Sequence, residues 1–186
     1  MLRQVWGSAA TAALCALGTA VWPTRAVMLR LAFVASLSTK LSDTCASEIG
    51  KAFGRTSAAE GLELSLADWR SATHGCPAPT RSRTYLITTF QRVLPGTEGA
   101  VSLEGTLAGA VGSLVLASYA VGCGLMGLSA VAPCLVAAFV ATNVESLIGA
   151  SAQGRFGWLT NEVVNFINTL VGALVAVAIG RPLGVR

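Results

Sequence analysis

Charge is what this sequence has least of. Only 12% of its residues are Asp, Glu, Lys or Arg, against about a quarter in soluble proteins, while 53% are hydrophobic and mean hydropathy is +0.65. That balance excludes an ordinary soluble fold and implies a membrane protein. Histidine is almost missing: the single copy, His74, falls in a polar stretch, which argues against a His-based catalytic triad or zinc site. Five cysteines, Cys15, Cys45, Cys76, Cys123 and Cys134, form no CxxC pair and read as small packing residues rather than a disulfide or metal framework. The formal charge of +4 is too small to suggest a nucleic-acid partner.

What the chain does have is long apolar runs. Four segments approach the roughly 20 apolar residues that a membrane-crossing helix needs, and a fifth carries a charged stretch: together they are 5–22, 27–53, 100–122, 125–150 and 162–180. They are rich in Ala, Gly, Ser and Val, which suits close helix packing in lipid. The expected fold is all-α, a polytopic transmembrane bundle of about five spans in one domain with a polar loop at 55–83, and its first partner is the lipid bilayer. With five spans, the N-terminus and the loops around 51–92 and Arg155 share the side richer in Arg and Lys, which the positive-inside rule assigns to the cytoplasm or stroma. The opening MLRQVWGSAATAALCALGTAVW has the flavour of a signal peptide without a clear A-x-A site, and a retained helix is expected. Pro133 is expected to kink the fourth span, and a short helix is expected in GLELSLADW within the polar loop.

Against this background TKLSDTCASEIGK, Thr39 to Lys51, stands out. At about 100° per residue, Lys40, Asp43, Thr44, Ser47, Glu48 and Lys51 share one arc of the second span. Ionisable groups inside a membrane face a bundle interior or a wet cavity and find partners. Lys40 with Asp43, and Glu48 with Lys51, at i,i+3, could simply neutralise each other. Other spans supply polar groups that could meet the arc: Glu98 and Ser102 ahead of GTLAG, whose Gly105 and Gly109 permit close backbone approach; Asn143, Glu145 and Ser146; and a stripe of Asn161, Asn165 and Asn168 on the fifth span. Amide stripes also serve as plain helix glue.

Carboxylates and amide oxygens suit Mg²⁺, which bridges to phosphate oxygens, and lysines neutralise phosphate. The PGTEG turn, with Gly96, Thr97, Glu98 and Gly99, could offer backbone amides to an anion, or could be only a turn and helix cap. This inventory suffices for phosphoryl transfer, where positioning and charge neutralisation supply most of the catalysis. A cation-coupled transporter or channel would use the same residue types.

FVASLSTKLSDTCASEIGKAFG, TYLITTFQRVLPGTEGAVSLEGTLAG, NVESLIGAS and WLTNEVVNFINTLVGALVA together resemble the phytyl phosphate kinase family of plant and algal plastids, within a wider group that includes the transmembrane protein 19-like proteins. The resemblance runs from about Phe33 to Val177. It implies a chloroplast or other plastid membrane enzyme that converts phytyl phosphate to phytyl diphosphate with a nucleoside triphosphate, CTP being a candidate, and feeds tocopherol and phylloquinone synthesis. The family's motif positions fall on Asp43, Thr44, Ser47, Glu48, Gly50, Gly96, Thr97, Gly99, Ser102, Gly105, Asn143, Glu145, Ser146, Gly149, Asn161, Asn165 and Asn168. Two departures are visible: the chain is expected to be N-terminally short relative to that family, and the stretch from Arg55 to Arg83 reads as an insertion.

The expected roles are therefore Asp43, Glu48, Lys40 and Lys51 in catalysis and Asp43, Glu48 and Glu145 around Mg²⁺. Thr44, Ser47, Gly96, Thr97, Glu98, Gly99, Ser102, Asn143, Asn161, Asn165 and Asn168 are expected at the nucleotide and prenyl phosphate. A nucleotidyltransferase or kinase for another polyprenol is the closer enzymatic alternative.

Overall fold

Large apolar side chains cover the outside of this protein, and small or hydroxylated ones fill its centre. Leu14, Leu17, Leu107, Val111, Phe139 and Leu174 are exposed, whereas Ser38, Thr39, Ser113, Asn168 and Thr169 are buried. That is the reverse of a soluble core and is what lipid selects, since a leucine gains nothing by leaving hydrocarbon for a protein interior. The structure, a computed structural model, describes residues 2–53, 83–152 and 156–185. The expected helix in GLELSLADW, the rest of the polar loop up to residue 82, His74, Cys76 and Arg155 lie outside the described residues.

Among the described residues five long helices form the bundle: α1 (Leu2–Val21), α2 (Ala26–Phe53), α3 (Leu103–Gly122), α4 (Val131–Ser151) and α5 (Asn161–Gly180). At 1.5 Å per residue, the 20-residue helices are about 30 Å long, the thickness of a bilayer's hydrocarbon core. α3, α5 and the stretch Leu128–Ser151 are long and apolar enough to cross it, and α1 contributes a shorter apolar run, Trp6–Val21. α2, 28 residues long, carries Lys40, Asp43, Glu48 and Lys51 in its C-terminal half and packs against all four other helices. The most polar helix thus sits at the centre, shielded by the most apolar ones.

Close approach to α2 depends on glycine. A Cβ on Gly105 would lie 2.6 Å from the carbonyl oxygen of Ala46, and one on Gly109 would lie 2.9 Å from that of Ser42. On the other side, a Cβ on Gly172 of α5 would collide with Thr39. The expected role of Gly105 and Gly109 is therefore realised. Gly105→Leu is expected to destabilise the protein by about 1–3 kcal/mol through overpacking, read as a lower unfolding midpoint in detergent.

Two boundaries and the expected kink differ from the sequence reading. Ala100–Ser102 is not the start of the third span but strand β2, paired antiparallel with β1 (Thr84–Leu86) in the register Thr84 to Ser102 and Leu86 to Ala100. Ser102 then caps α3, its Oγ accepting from the Gly105 amide at 3.1 Å, as a serine before a helix does. The fourth span begins not as one helix from Leu125 but with a 3-10 turn, Leu128–Ala130, followed by α4. Pro133 consequently falls in the first turn of α4, where its missing N–H removes no helical bond, so it initiates rather than kinks.

Candidate active site

The C-terminal halves of α2 and α4, the N-terminal ends of α3 and α5, and the loop between β1 and β2 converge on one cavity of about 550 Å³. α2 presents Ser42, Asp43, Ala46, Ser47, Gly50 and Lys51 to it; α4 presents Thr142, Asn143, Glu145, Ser146 and Gly149; α5 contributes Asn161. The β1–β2 hairpin closes the mouth. Its two short strands fix both ends of the connecting loop, and the amide of Ile87 donates to the carbonyl of Gly99 at 3.1 Å. Gly96, Thr97, Glu98 and Gly99 therefore lie along the cavity wall.

Glycine is required at Gly99 on two counts. Its φ of +74° is a left-handed value, and a Cβ there would run into the Ala150 side chain and come 2.6 Å from the carbonyl oxygen of Ser146. The turn thus lies directly on the end of α4. Thr97 closes the turn internally, its hydroxyl donating to the Leu94 carbonyl at 2.7 Å and its amide to the same oxygen at 3.1 Å. The amides of Gly96, Glu98 and Gly99 donate to no backbone acceptor among the described residues.

The ionic centre is built across three helices. Lys40 Nζ donates to Asp43 Oδ2 at 2.8 Å and to the side-chain oxygen of Asn165 on α5. Glu145 on α4 interacts with both Asp43 and Lys40 and accepts a hydrogen bond from the Asn168 side chain. Asn165 also donates to the Asn161 carbonyl at 2.9 Å, and Asn165 and Asn168 are 6% and 1% exposed. Asn165 and Asn168 are thus neither bare helix glue nor a wall of the cavity: they stand behind the wall and hold Lys40 and Glu145, whereas Asn161 lines it.

Three expectations for the charged arc need correction. Lys40, Thr44 and Glu48 do not line the cavity. Thr44 is exposed and bonds back to the Lys40 carbonyl at 2.9 Å. Glu48 is exposed and pairs with Lys51 at 3.0 Å, the neutralising arrangement that the i,i+3 spacing allows. The wall of α2 is rotated toward Ser42, Ala46 and Gly50, because that side carries the small residues that let α3 approach. Among the described residues no three His, Cys, Asp or Glu side chains form a metal-holding group, so Asp43, Glu48 and Glu145 do not converge as a triad. Asp43 and Glu145 do meet. Because the Glu48–Lys51 pair is exposed, Glu48→Gln is expected to change stability by less than about 1 kcal/mol, measured by the same detergent unfolding.

Of the remaining expected site residues, Asp43, Ser47, Lys51, Ser102, Asn143, Glu145 and Asn161 join the four PGTEG residues on the wall, while Asn165 and Asn168 support it. Asn143 spends its amide on the Phe139 carbonyl at 2.7 Å. The sequence reading missed Thr142 and the deeper residues Ser113, Leu135, Val136 and Phe139. The spacing of 149, 146, 142, 139 and 135 along one helix face could have found them; their apolar character hid them among lipid-facing residues.

No solved structure matches the chain. Sequence relatives do. The chain is 49% identical over 178 residues to the uncharacterized membrane protein sll0875 of Synechocystis sp., covering 95% of this chain and 58% of that protein. It is 41% identical over 183 residues to Protein VTE6, chloroplastic, of Arabidopsis thaliana, covering 94% of this chain and 46% of that one. An uncharacterized membrane protein of Methanocaldococcus jannaschii, MJ0933, is 42% identical over 95 residues. The chain spans about half the length of these curated relatives. The profile of the integral membrane protein family DUF92 matches residues 1–59 and 78–173. Matched across most of its length, and built as an apolar bundle around a polar centre, the chain belongs to the DUF92 family of integral membrane proteins.

Proposed function

We propose that this protein is a membrane phosphotransferase that lengthens the headgroup of an isoprenoid monophosphate, converting phytyl phosphate to phytyl diphosphate in a plastid membrane for tocopherol and phylloquinone synthesis. The observation that carries the reading is that a single cavity joins two carboxylates, Asp43 and Glu145, to a glycine turn on one side and an apolar crevice on the other. The 41% identity to a protein designated chloroplastic supports the plastid address.

The donor set suits Mg²⁺. That ion is usually bound through one or two carboxylates together with substrate phosphates, and Asp43 and Glu145 offer two carboxyl groups beside a single ammonium, Lys40. Asp43 and Glu145 would hold it, and when bound it supplies charge neutralisation at the nucleotide phosphates. The amides of Gly96, Glu98 and Gly99 would receive phosphate oxygens of the nucleoside triphosphate. Lys51, on the wall at the mouth, would neutralise a second phosphate once drawn away from Glu48. An oxygen of the lipid phosphate attacks the γ-phosphorus, the bond from that phosphorus to the β-phosphate's bridging oxygen breaks, and the nucleoside diphosphate leaves with the electron pair. Because the attacking group is already an anion, no strong general base is needed.

The test is product analysis. Purified protein with phytyl phosphate, Mg²⁺ and either CTP or ATP is expected to yield phytyl diphosphate and nucleoside diphosphate. A nucleotidyl-linked lipid would assign nucleotidyl transfer instead. Ion flux in liposomes with no nucleotide consumed would replace the enzyme by a transporter.

A further inference from the structure

The cavity does not end at its charged mouth. It continues down the crevice between α3 and α4 as far as Ser113 and Leu135. From Gly149 to Leu135, α4 rises about 21 Å at 1.5 Å per residue, which carries the crevice past the middle of a hydrocarbon core about 30 Å thick. Below that point the helices close on each other, with Ala117, Ala130 and Cys134 buried in one apolar cluster. The two helices thus form a V whose apex lies beside their connecting turn and whose open end is filled by the PGTEG loop.

Two features distinguish the deep part from a solvent path. Its walls lose their charges and become Gly109, Ala110, Val136 and Phe139. In addition, Ala110, Val136 and Phe139 are themselves on the outer surface, Val136 47% and Phe139 55% exposed. The crevice is therefore open along its side to the bilayer, not only at its polar end. An ion route would need polar groups continuing to the far face and shielding from lipid.

We infer that the α3–α4 crevice admits the hydrocarbon tail of the acceptor lipid sideways from the bilayer, and that its closed apex at Ser113 and Leu135 limits the length of tail accepted. The inference rests on the proposed phosphotransfer for the identity of the headgroup. Moving a tail from lipid into an apolar groove gains little hydrophobic free energy, because lipid is as apolar as leucine. The crevice therefore selects by fit: a tail that outruns the apex lifts its phosphate away from Asp43, whereas a shorter one still reaches.

The experiment has two arms. In the first, Ala110→Phe and Ser113→Phe are assayed in nanodiscs against isoprenyl monophosphates of two and of four isoprene units. The ratio of long-chain to short-chain kcat/KM is expected to fall at least tenfold, and an unchanged ratio would overturn the inference. Ala110 is exposed, so its variant tests the crevice even where Ser113→Phe fails to fold. In the second arm, without nucleotide, the four-unit monophosphate carries a diazirine at its tail end. Crosslinks are expected on residues 110–117 and 131–139 and should drop at least fivefold in Ala110→Phe. Labelling spread over the outer faces of α1 and α5, insensitive to that variant, would overturn the inference. Localised labelling with no turnover of either substrate would sink the phosphotransfer reading and support the tail site.

Discussion

Asp43→Asn is expected to lower phosphoryl transfer by at least roughly 10²–10³-fold, the loss that follows removal of one preorganised electrostatic group from an active site, while the protein stays folded and membrane-inserted. Asp43 is the only α2 carboxylate on the cavity wall, and it is the residue through which Lys40 and Glu145 meet. Asparagine keeps its shape and its ability to accept from Lys40 but not its charge. Mg²⁺ affinity should fall with turnover, so that raising Mg²⁺ restores part of the rate. The measurement is kcat/KM as a function of Mg²⁺, beside a thermal unfolding midpoint within a few degrees of the parent. Glu48→Gln serves as the contrast. Its carboxylate lies on the same helix one and a half turns away but points off the wall, and its loss should leave the Mg²⁺ dependence as it is.

The second large effect concerns stability. Lys40→Met removes the ammonium that faces Asp43, Glu145 and Asn165. Breaking a buried ion pair from one side is worse than removing both partners, since the surviving charge loses its compensation. Lys40 and Asp43 side chains are 26% and 14% exposed, so solvent screens part of the penalty. Destabilisation of about 1–3 kcal/mol is expected for Lys40→Met. Adding Asp43→Asn to it should recover part of that loss rather than deepen it. A double-mutant cycle on detergent unfolding midpoints measures the coupling; strict additivity would mean that Lys40 and Asp43 do not interact.

Much of this was legible in the sequence where periodicity and chemistry agreed. The five long helices were, because lipid demands long apolar runs whatever the packing. So were the convergence of Asp43, Ser47 and Lys51 with PGTEG and Glu145, and the glycine seam of Gly105 and Gly109. The errors lie where tertiary contact overrides pattern. The helical arc put Glu48 and Thr44 beside Asp43, but the face of α2 that meets its neighbours is chosen by Ala46 and Gly50, which the charges overshadowed. The stripe of Asn161, Asn165 and Asn168 was visible, yet whether an amide lines a cavity or holds a residue that does depends on which helix lies opposite. Ala100–Ser102 pairs with Thr84–Leu86 across the PGTEG turn, a non-local match between three-residue strands too short to leave a period. The crevice walls at Val136 and Phe139 look from sequence like any lipid-facing residue.

The most direct test follows the γ-phosphate. With γ-labelled nucleoside triphosphate, phytyl phosphate and Mg²⁺ in nanodiscs, label is expected to move into the lipid as its terminal phosphate in the parent protein and to vanish from the lipid in Asp43→Asn. Label that stays on the nucleotide in the folded parent, or that reaches the lipid equally well without the Asp43 carboxylate, would contradict the assignment of this cavity as the place where nucleotide and lipid phosphate meet.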